Sequence, residues 1–361
     1  MNSQHLTIKE LTKSVEGKIT PRMVRHYHHI GLLPTPERSP GNYRLYTISD
    51  VQRLKQIVAL KQQGFQLKHI RQLLSAEEGA IASDSLLVQL QQQYQFIIQQ
   101  LAQLRQTALA LEGMLGQDSE CQTQRAAQKN FNINELEQFW QQFDITTHGH
   151  PEAFEESLKR LLPDLSRRSE IEVDLLSKLV LASGDVSLVQ FVQKSQGAIA
   201  AARHALQAGS EVVGDVPAVV HSLDQTRLAG LGCSTTTLID DPHITSAVEA
   251  ERAFWQQPQW QERLQQVPEG AILAIGFAPS VLMFACELIE SGQLQPALVI
   301  GMPVGFSHAP AAKRRLMRSG VPYLTVRGSL GGGLLAAVAL NALADSLIEK
   351  PDCHCYLNEK Q

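Results

Sequence analysis

Between residues 85 and 116 the apolar positions Leu87, Leu90, Tyr94, Ile97, Leu101, Leu104, Ala108, Leu111 and Leu115 recur at alternating spacings of three and four. That rhythm predicts one long helix with a coiled-coil seam. About 30 residues extend roughly 45 Å at 1.5 Å per residue, and such a stripe stays wet unless a second copy covers it. Arg105 and Glu112 are the only charged residues between Leu86 and Gly116, so apolar packing supplies most of the association energy of the expected homodimer. Ahead of the seam, residues 7–15 read as a helix capped by Thr7 with Ile8, Leu11 and Val15 inward. Thr20-Pro21 opens a second helix that closes at Gly31. Residues 34–46, rich in turn formers, suit two short extended pieces. Helix, short turn, helix and hairpin predict a winged helix-turn-helix whose second helix enters the major groove. Behind the seam, apolar runs at 211–215, 271–276, 297–302 and 322–326 alternate with helical patterns at 280–291, 311–319 and 334–346. Strand and helix in repetition predict an α/β domain whose parallel sheet is covered on both faces.

Charge sharpens this division. The 361 residues carry a net charge of −4, yet residues 1–75 hold 12 Lys+Arg against 4 Asp+Glu, or +8, which leaves −12 on the remainder. The N-terminal part is therefore expected to meet a polyanion and the rest is not. Arg22, Arg25, His26 and His28 lie on or near the second helix, and Asn42-Tyr43-Arg44-Leu45-Tyr46 suits a wing whose Arg and Tyr side chains rest on phosphates. No signal peptide and no bilayer-length apolar run is present, and five cysteines form an odd set. These features point to a cytoplasmic protein without a membrane partner, its thiols free for metals. The expected organisation is a reader at 1–75, dimer helix and hinge at 76–120, linker at 121–146, effector domain at 147–347 and tail at 348–361.

Val24-Arg25-His26-Tyr27, Ile30-Gly31-Leu32-Leu33, Arg38, Tyr43-Arg44-Leu45-Tyr46, Asp50-Val51, Arg53-Leu54 and residues 64–70 resemble the winged-helix domain of MerR regulators. The resemblance implies a dimer on double-stranded promoter DNA whose two RNA polymerase elements are spaced too far apart. Effector binding would then distort the duplex, a change costing several kcal/mol. It places Arg22, Arg25, His26 and Tyr27 of the second helix, with Arg44 and Tyr46 of the wing, against DNA.

In the C-terminal domain, glycine-rich stretches follow the predicted strands at 276–279, 301–306 and 327–333, where ligands of parallel sheets gather. Glycine lets backbone amides approach an anion, and Arg327 adds a bidentate donor. Asp215, Ile275-Gly276-Phe277-Ala278-Pro279, Gly301-Met302-Pro303-Val304-Gly305-Phe306 and Val326-Arg327-Gly328 with Gly331-Gly332 resemble precorrin-8X methylmutase. The implied ligand is a corrinoid, a tetrapyrrole-derived ring with several carboxylates, held at Asp215, Gly276, Pro279, Gly301, Pro303, Arg327, Gly331 and Gly332. The resembled family carries a catalytic His in a Val-His-Ala-Cys-Gly type segment, whereas this chain reads Val180-Leu181-Ala182-Ser183-Gly184. Leu181 has no proton to give, so no catalytic residue is expected and the domain reads as a binding module. His221 and His308 are the substitutes available elsewhere.

Cys353-His354-Cys355 lies on a short polar tail with no core to fill. Two thiolates and an imidazole suit one transition ion, with Cys121, just past the dimer helix, as the fourth ligand and His148 or His150 in reserve. Cys233 and Cys286 read instead as small core residues. Ligand type alone leaves Zn(II), Co(II), Ni(II) and Cu(I) open. The corrin-pathway likeness favours Co(II), since cobalt is the metal of that ring, and the assembly resembles the CoaR type of cobalt-responsive activator. The alternatives are a corrinoid sensor with structural Zn(II) and a bifunctional methylmutase.

Overall fold

A computed structural model describes residues 5–15, 19–62, 64–76, 84–115 and 152–351. The chain divides into two compact units, Met1–Gly113 and Met114–Gln361.

In the first unit, α1 (Ile8–Lys13) begins with a reciprocal cap. The Glu10 amide donates to Thr7 Oγ1 at 3.4 Å and the Thr7 amide to the Glu10 carboxylate at 2.7 Å, satisfying two otherwise orphaned donors. Helix α2 (Pro21–His29) starts as predicted, with the Met23 amide donating to Thr20 Oγ1 at 3.3 Å and Pro21 in the first turn. Strands β1 (Glu37–Arg38) and β2 (Arg44–Leu45) pair antiparallel with Arg38 opposite Arg44. Asn42, at φ 61°, turns the chain between them. Leu6 and Tyr46 exchange backbone hydrogen bonds at 2.8 and 2.9 Å and tie the wing to the start of α1. Helices α3 (Ile48–Gln62) and α4 (Leu67–Ala76) close a core of Leu11, Val24, Tyr27, Leu32, Tyr46, Leu54, Ile57 and Ile70. Helix α5 (Asp84–Leu115) then runs unbroken for 32 residues over the predicted seam.

The second unit follows as α6 (Phe154–Leu161), α7 (Glu170–Ser183), β3 (Val192–Lys194), α8 (Ala198–Gln207), β4 (Val212–Gly214), α9 (Pro217–His221), α10 (Gln225–Gly230), β5 (Thr235–Thr237), α11 (Ala247–Gln256), α12 (Gln259–Gln265), β6 (Ile272–Ile275), α13 (Pro279–Glu290), β7 (Leu298–Gly301), α14 (His308–Leu316), β8 (Tyr323–Val326) and α15 (Gly333–Glu349). The six strands lie in the order β3-β8-β7-β6-β4-β5, parallel except for β3, which pairs antiparallel with β8. Successive residues of the central strands serve opposite faces. Ile272, Leu298 and Ile300 pack with α7, α8 and α15, while Leu273, Val299 and Ile275 pack with α11 to α14. That two-sided burial is why these strands read as continuous apolar runs.

The parallel α/β domain stands, with two differences from the sequence reading. Edge strands β3 and β5 were not expected, because Val192-Gln193-Lys194 and Thr235-Thr236-Thr237 carry no apolar run and are defined only by their neighbours. Helix α14 begins at His308 rather than near 311, since Pro310 in a first turn removes no needed hydrogen bond.

Candidate nucleic-acid interface and ligand site

On α2, Val24 and Tyr27 face the core, so the helical period turns Arg22, Arg25 and His26 outward together. Arg44 is exposed on β2. The end of α2 is held from behind: Arg53 Nε donates to Leu32 O at 2.9 Å and Arg71 Nη1 to Ile30 O at 3.2 Å. Two cations on carbonyls past a helix C-terminus complement its dipole and set the angle of α2. Two predicted DNA contacts need correction. Tyr27 and Tyr46 are buried, filling the core of the winged helix, and Tyr46 stacks on His28 at 5.6 Å. Burial pushes the His28 imidazole below its ordinary value. A tyrosine carries both an apolar ring and a polar tip, and sequence alone does not say which decides. The aromatic the wing presents outward is Tyr43, 74% exposed beside Arg44.

In the second unit the chain reverses direction across the sheet between β4 and β6, the switch point at which such sheets take ligands. Asp215 directly follows β4 and is fully buried. Its Oδ2 accepts the amides of Gly276, Phe277 and Ala278 at 3.1, 2.7 and 2.9 Å, and its Oδ1 accepts that of Val216 at 3.1 Å. Burial raises this carboxyl above the usual range, opposed by the four amides. Asp215 thus shapes the loop after β6 with its carboxylate buried on backbone amides, which corrects the reading of that side chain as a ligand contact. Gly276 and Gly301 need the same correction. A Cβ on Gly276 would lie 2.4 Å from the Gly333 Cα, and one on Gly301 would meet Leu316 and Leu282 below 3 Å. These glycines permit close packing and are not a cradle. Pro279 and Pro303 are likewise buried, Pro279 in the first turn of α13. Of the eight positions, Arg327 is exposed and Gly331 and Gly332 are partly so.

That loop rests on Lys313, which the sequence reading passed over. Its Nζ donates to Gly328 O at 3.2 Å and to Leu330 O. The signal was present: Ala309, Ala312, Lys313 and Leu316 share one helical face, and the others are buried alanines and a leucine. Burial pushes the Lys313 ammonium down from 10.5 to about 8. Between those values the unfolded chain holds a proton that the folded chain lacks, so stability rises with pH across the window. Paired denaturant melts at both ends of it are expected to show a gain on the order of 2 kcal/mol in the wild type, discounted for partial solvation, that Lys313→Met lacks.

Leu181 sits in the last turn of α7, 47% exposed, on the wall of a cavity of about 740 Å³ that Lys159, Arg168 and Lys178 also line. A second cavity, of about 430 Å³, lies beside Pro279 and His308 and is walled by Trp255, Trp260 and Phe284. His221 ends α9 and His308 opens α14. Cys233 and Cys286 are buried, and burial holds the Cys286 thiol up at about 12. Among the described residues no group of three or more His, Cys, Asp and Glu is placed to hold a metal. Cys121, His148, His150, Cys353, His354 and Cys355 all lie outside the described residues. The chain leading into the tail is gripped by buried Arg203, which donates to Ser346 O at 2.7 Å and to Pro351 O at 3.1 Å. Among the described residues no helix is long and apolar enough to cross a membrane.

The sequence matches the family model "Precorrin-8X methylmutase" over residues 152–346, just over half of the chain, and "MerR HTH family regulatory protein" over residues 6–77. A precorrin-8X methylmutase from Sinorhizobium sp is 39% identical over 185 residues, covering 50% of this chain and 86% of that protein. Another from Pseudomonas aeruginosa is 36% identical over 174 residues, covering 47% and 82%. The nodulation protein NolA of Bradyrhizobium sp is 37% identical over 87 residues, 24% of this chain and 35% of that protein. The chain belongs to the precorrin-8X methylmutase family through its C-terminal α/β domain and carries a MerR helix-turn-helix domain at its N-terminus.

Proposed function

We propose that the chain is a homodimeric transcriptional activator of the MerR type that responds to a metal ion, Co(II) first, and takes a corrinoid as a modulating ligand. The observation that carries this reading is the union on one chain of an exposed basic recognition helix with a methylmutase-family domain whose expected general acid is replaced by Leu181. A leucine cannot protonate a ring, so the domain is read as retaining a binding role without the isomerisation. The donors that would hold the ion are Cys121, Cys353, His354 and Cys355, a soft and borderline set that suits Co(II) and also Zn(II). The ion would supply a crosslink between hinge and tail, and cobalt export or homeostasis is the process such a switch would govern. On the promoter, the dimer would distort the duplex and so bring RNA polymerase into productive register.

Transcription from the target promoter with Co(II), Zn(II) or a corrinoid added singly tests the proposal. Co(II) is expected to raise transcript by about tenfold, within the usual range of coupling between sites, and Cys353→Ser with Cys355→Ser to abolish the rise. Cobalt induction that survives in the double variant removes the tail from the mechanism and leaves a corrinoid sensor with structural zinc. The identity to methylmutases across most of their length favours, as second reading, a bifunctional protein. Prompt conversion of precorrin-8X by the purified chain would establish that reading in place of the first.

A further inference from the structure

The cavity of about 430 Å³ bounded by α11, α12 and α13 has no part in the proposed function. Of the eight residues that resemblance assigned to a corrinoid, Pro279 alone lines it, and among the described residues no Lys or Arg does. Its size falls within the range of small-molecule sites, about 300–1,000 Å³, and Phe254, Trp255, Trp260 and Phe284 give it aromatic walls.

Trp260 is buried and held from several sides. Its Nε1 donates to Phe254 O at 2.6 Å, and Phe254 and Phe284 meet it edge-on with ring centroids 5.2 and 5.4 Å away. Trp255 is 79% exposed, a large indole with little protein packed on it. Its Nε1 nevertheless donates to Glu251 Oε2 at 3.2 Å, one helical turn back, which pins the ring at the cavity. Glu251 Oε1 accepts the Ser280 amide at 2.8 Å. Both donors are neutral, and among the described residues no cation pairs with Glu251, whereas Glu287 is paired with Arg315 at 2.8 Å. The Oγ of Ser280, which also lines the cavity, is buried without a hydrogen-bond partner among the described residues.

We propose that this cavity binds a small aromatic ammonium ion, a protonated amine carried on a flat ring, with the ring against Trp255 and Trp260 and the ammonium between Glu251 and Ser280 Oγ. The carboxylate supplies one negative charge and a spare lone pair on each oxygen, the hydroxyl supplies a further acceptor, and a tryptophan face is the best cation acceptor among aromatic side chains. Accepting the indole N–H, the carboxylate also polarises the Trp255 ring and makes its face more negative. An uncompensated charge and an unmet hydroxyl at a part-buried site are costs that such a ligand removes. A polycarboxylate such as a corrinoid meets the wrong charge here, so the site stands apart from the metal and corrinoid reading.

The full-length protein, labelled with fluorotryptophan, is titrated at fixed ionic strength with three probes of similar shape: phenethylammonium, phenylethanol and phenylacetate. The chain holds three tryptophans, Trp140, Trp255 and Trp260, so three fluorine resonances are read, and Trp255→Phe and Trp260→Phe assign the latter two. Phenethylammonium is expected to shift the Trp255 and Trp260 resonances saturably and to bind about tenfold or more tighter than the alcohol, with phenylacetate weaker still. Glu251→Gln, which keeps the shape of the side chain, should bring the amine down to the alcohol. Trp255→Ala, at an exposed position, should weaken both by about threefold or more. If Glu251→Gln fails to fold, the order of the three probes on the wild type decides alone. Equal binding of amine and alcohol, tighter binding of phenylacetate, or no shift at either tryptophan overturns the proposal. So does a folded Glu251→Gln protein that keeps the preference for the amine.

Discussion

Replacing Leu101 and Leu104 together by lysine is expected to leave the chain monomeric and to weaken operator binding by about 100-fold or more. In the isolated chain these residues are 58% and 68% exposed, on a helix whose 32 residues span roughly 48 Å. Tyr94, Ile97, Leu111 and Leu115 are exposed along the same seam, and exposed Ile98 flanks it. Arg105 and Glu112 are the only charged residues between Leu86 and Gly116, and they pair with each other along the helix at 3.9 Å, so little electrostatic attraction remains for a partner. Burying each leucine contributes about 1.5–3 kcal/mol, and a symmetric dimer loses four of them in the variant. A winged helix held singly keeps one half-site, which is the source of the lost affinity. Sedimentation and band-shift titration of the same samples read both effects. A variant that remains dimeric and binds its operator normally would show that the seam is not the dimer axis.

Asp215→Ala is expected to destabilise the C-terminal unit by on the order of 3–5 kcal/mol. The carboxylate accepts four backbone amides in a site without water access, and each buried donor left unmet costs about 1–3 kcal/mol. For a domain of this size the melting midpoint should fall by about 10 °C. Asp215→Asn, which keeps one acceptor oxygen, should recover part of the loss. The displaced segment is the loop from Gly276 to Ala278, which abuts Gly333 at the start of α15, so the variant should also disturb the neighbouring 327–333 loop. An unchanged midpoint in Asp215→Ala would mean that other contacts hold the loop.

Local order was legible from residues alone wherever a short-range rule decides it. Thr7 and Thr20 announced their helices because a hydroxyl three residues before an orphaned amide is a local arrangement. The seam of α5 and the four central strands followed from period and from two-sided burial. The edge strands β3 and β5 did not, since three residues without an apolar run become a strand only when a neighbour offers its free edge. Site chemistry was less legible. Glycine motifs marked the correct loops, but whether a glycine serves a ligand or a neighbouring backbone depends on what lies 3 Å away, and for Gly276 and Gly301 that is protein.

The order of residues by itself determined the two-part plan, the recognition helix with Arg22, Arg25 and His26 outward, and the long apolar seam, because propensity, capping and periodicity act within a few residues. Only the tertiary structure decided that Tyr27 and Tyr46 are core, that Asp215 clasps a loop, and that Lys313 lies beneath another. Burial is a property of what packs from elsewhere in the chain, and a side chain with both apolar and polar parts takes its role from that packing.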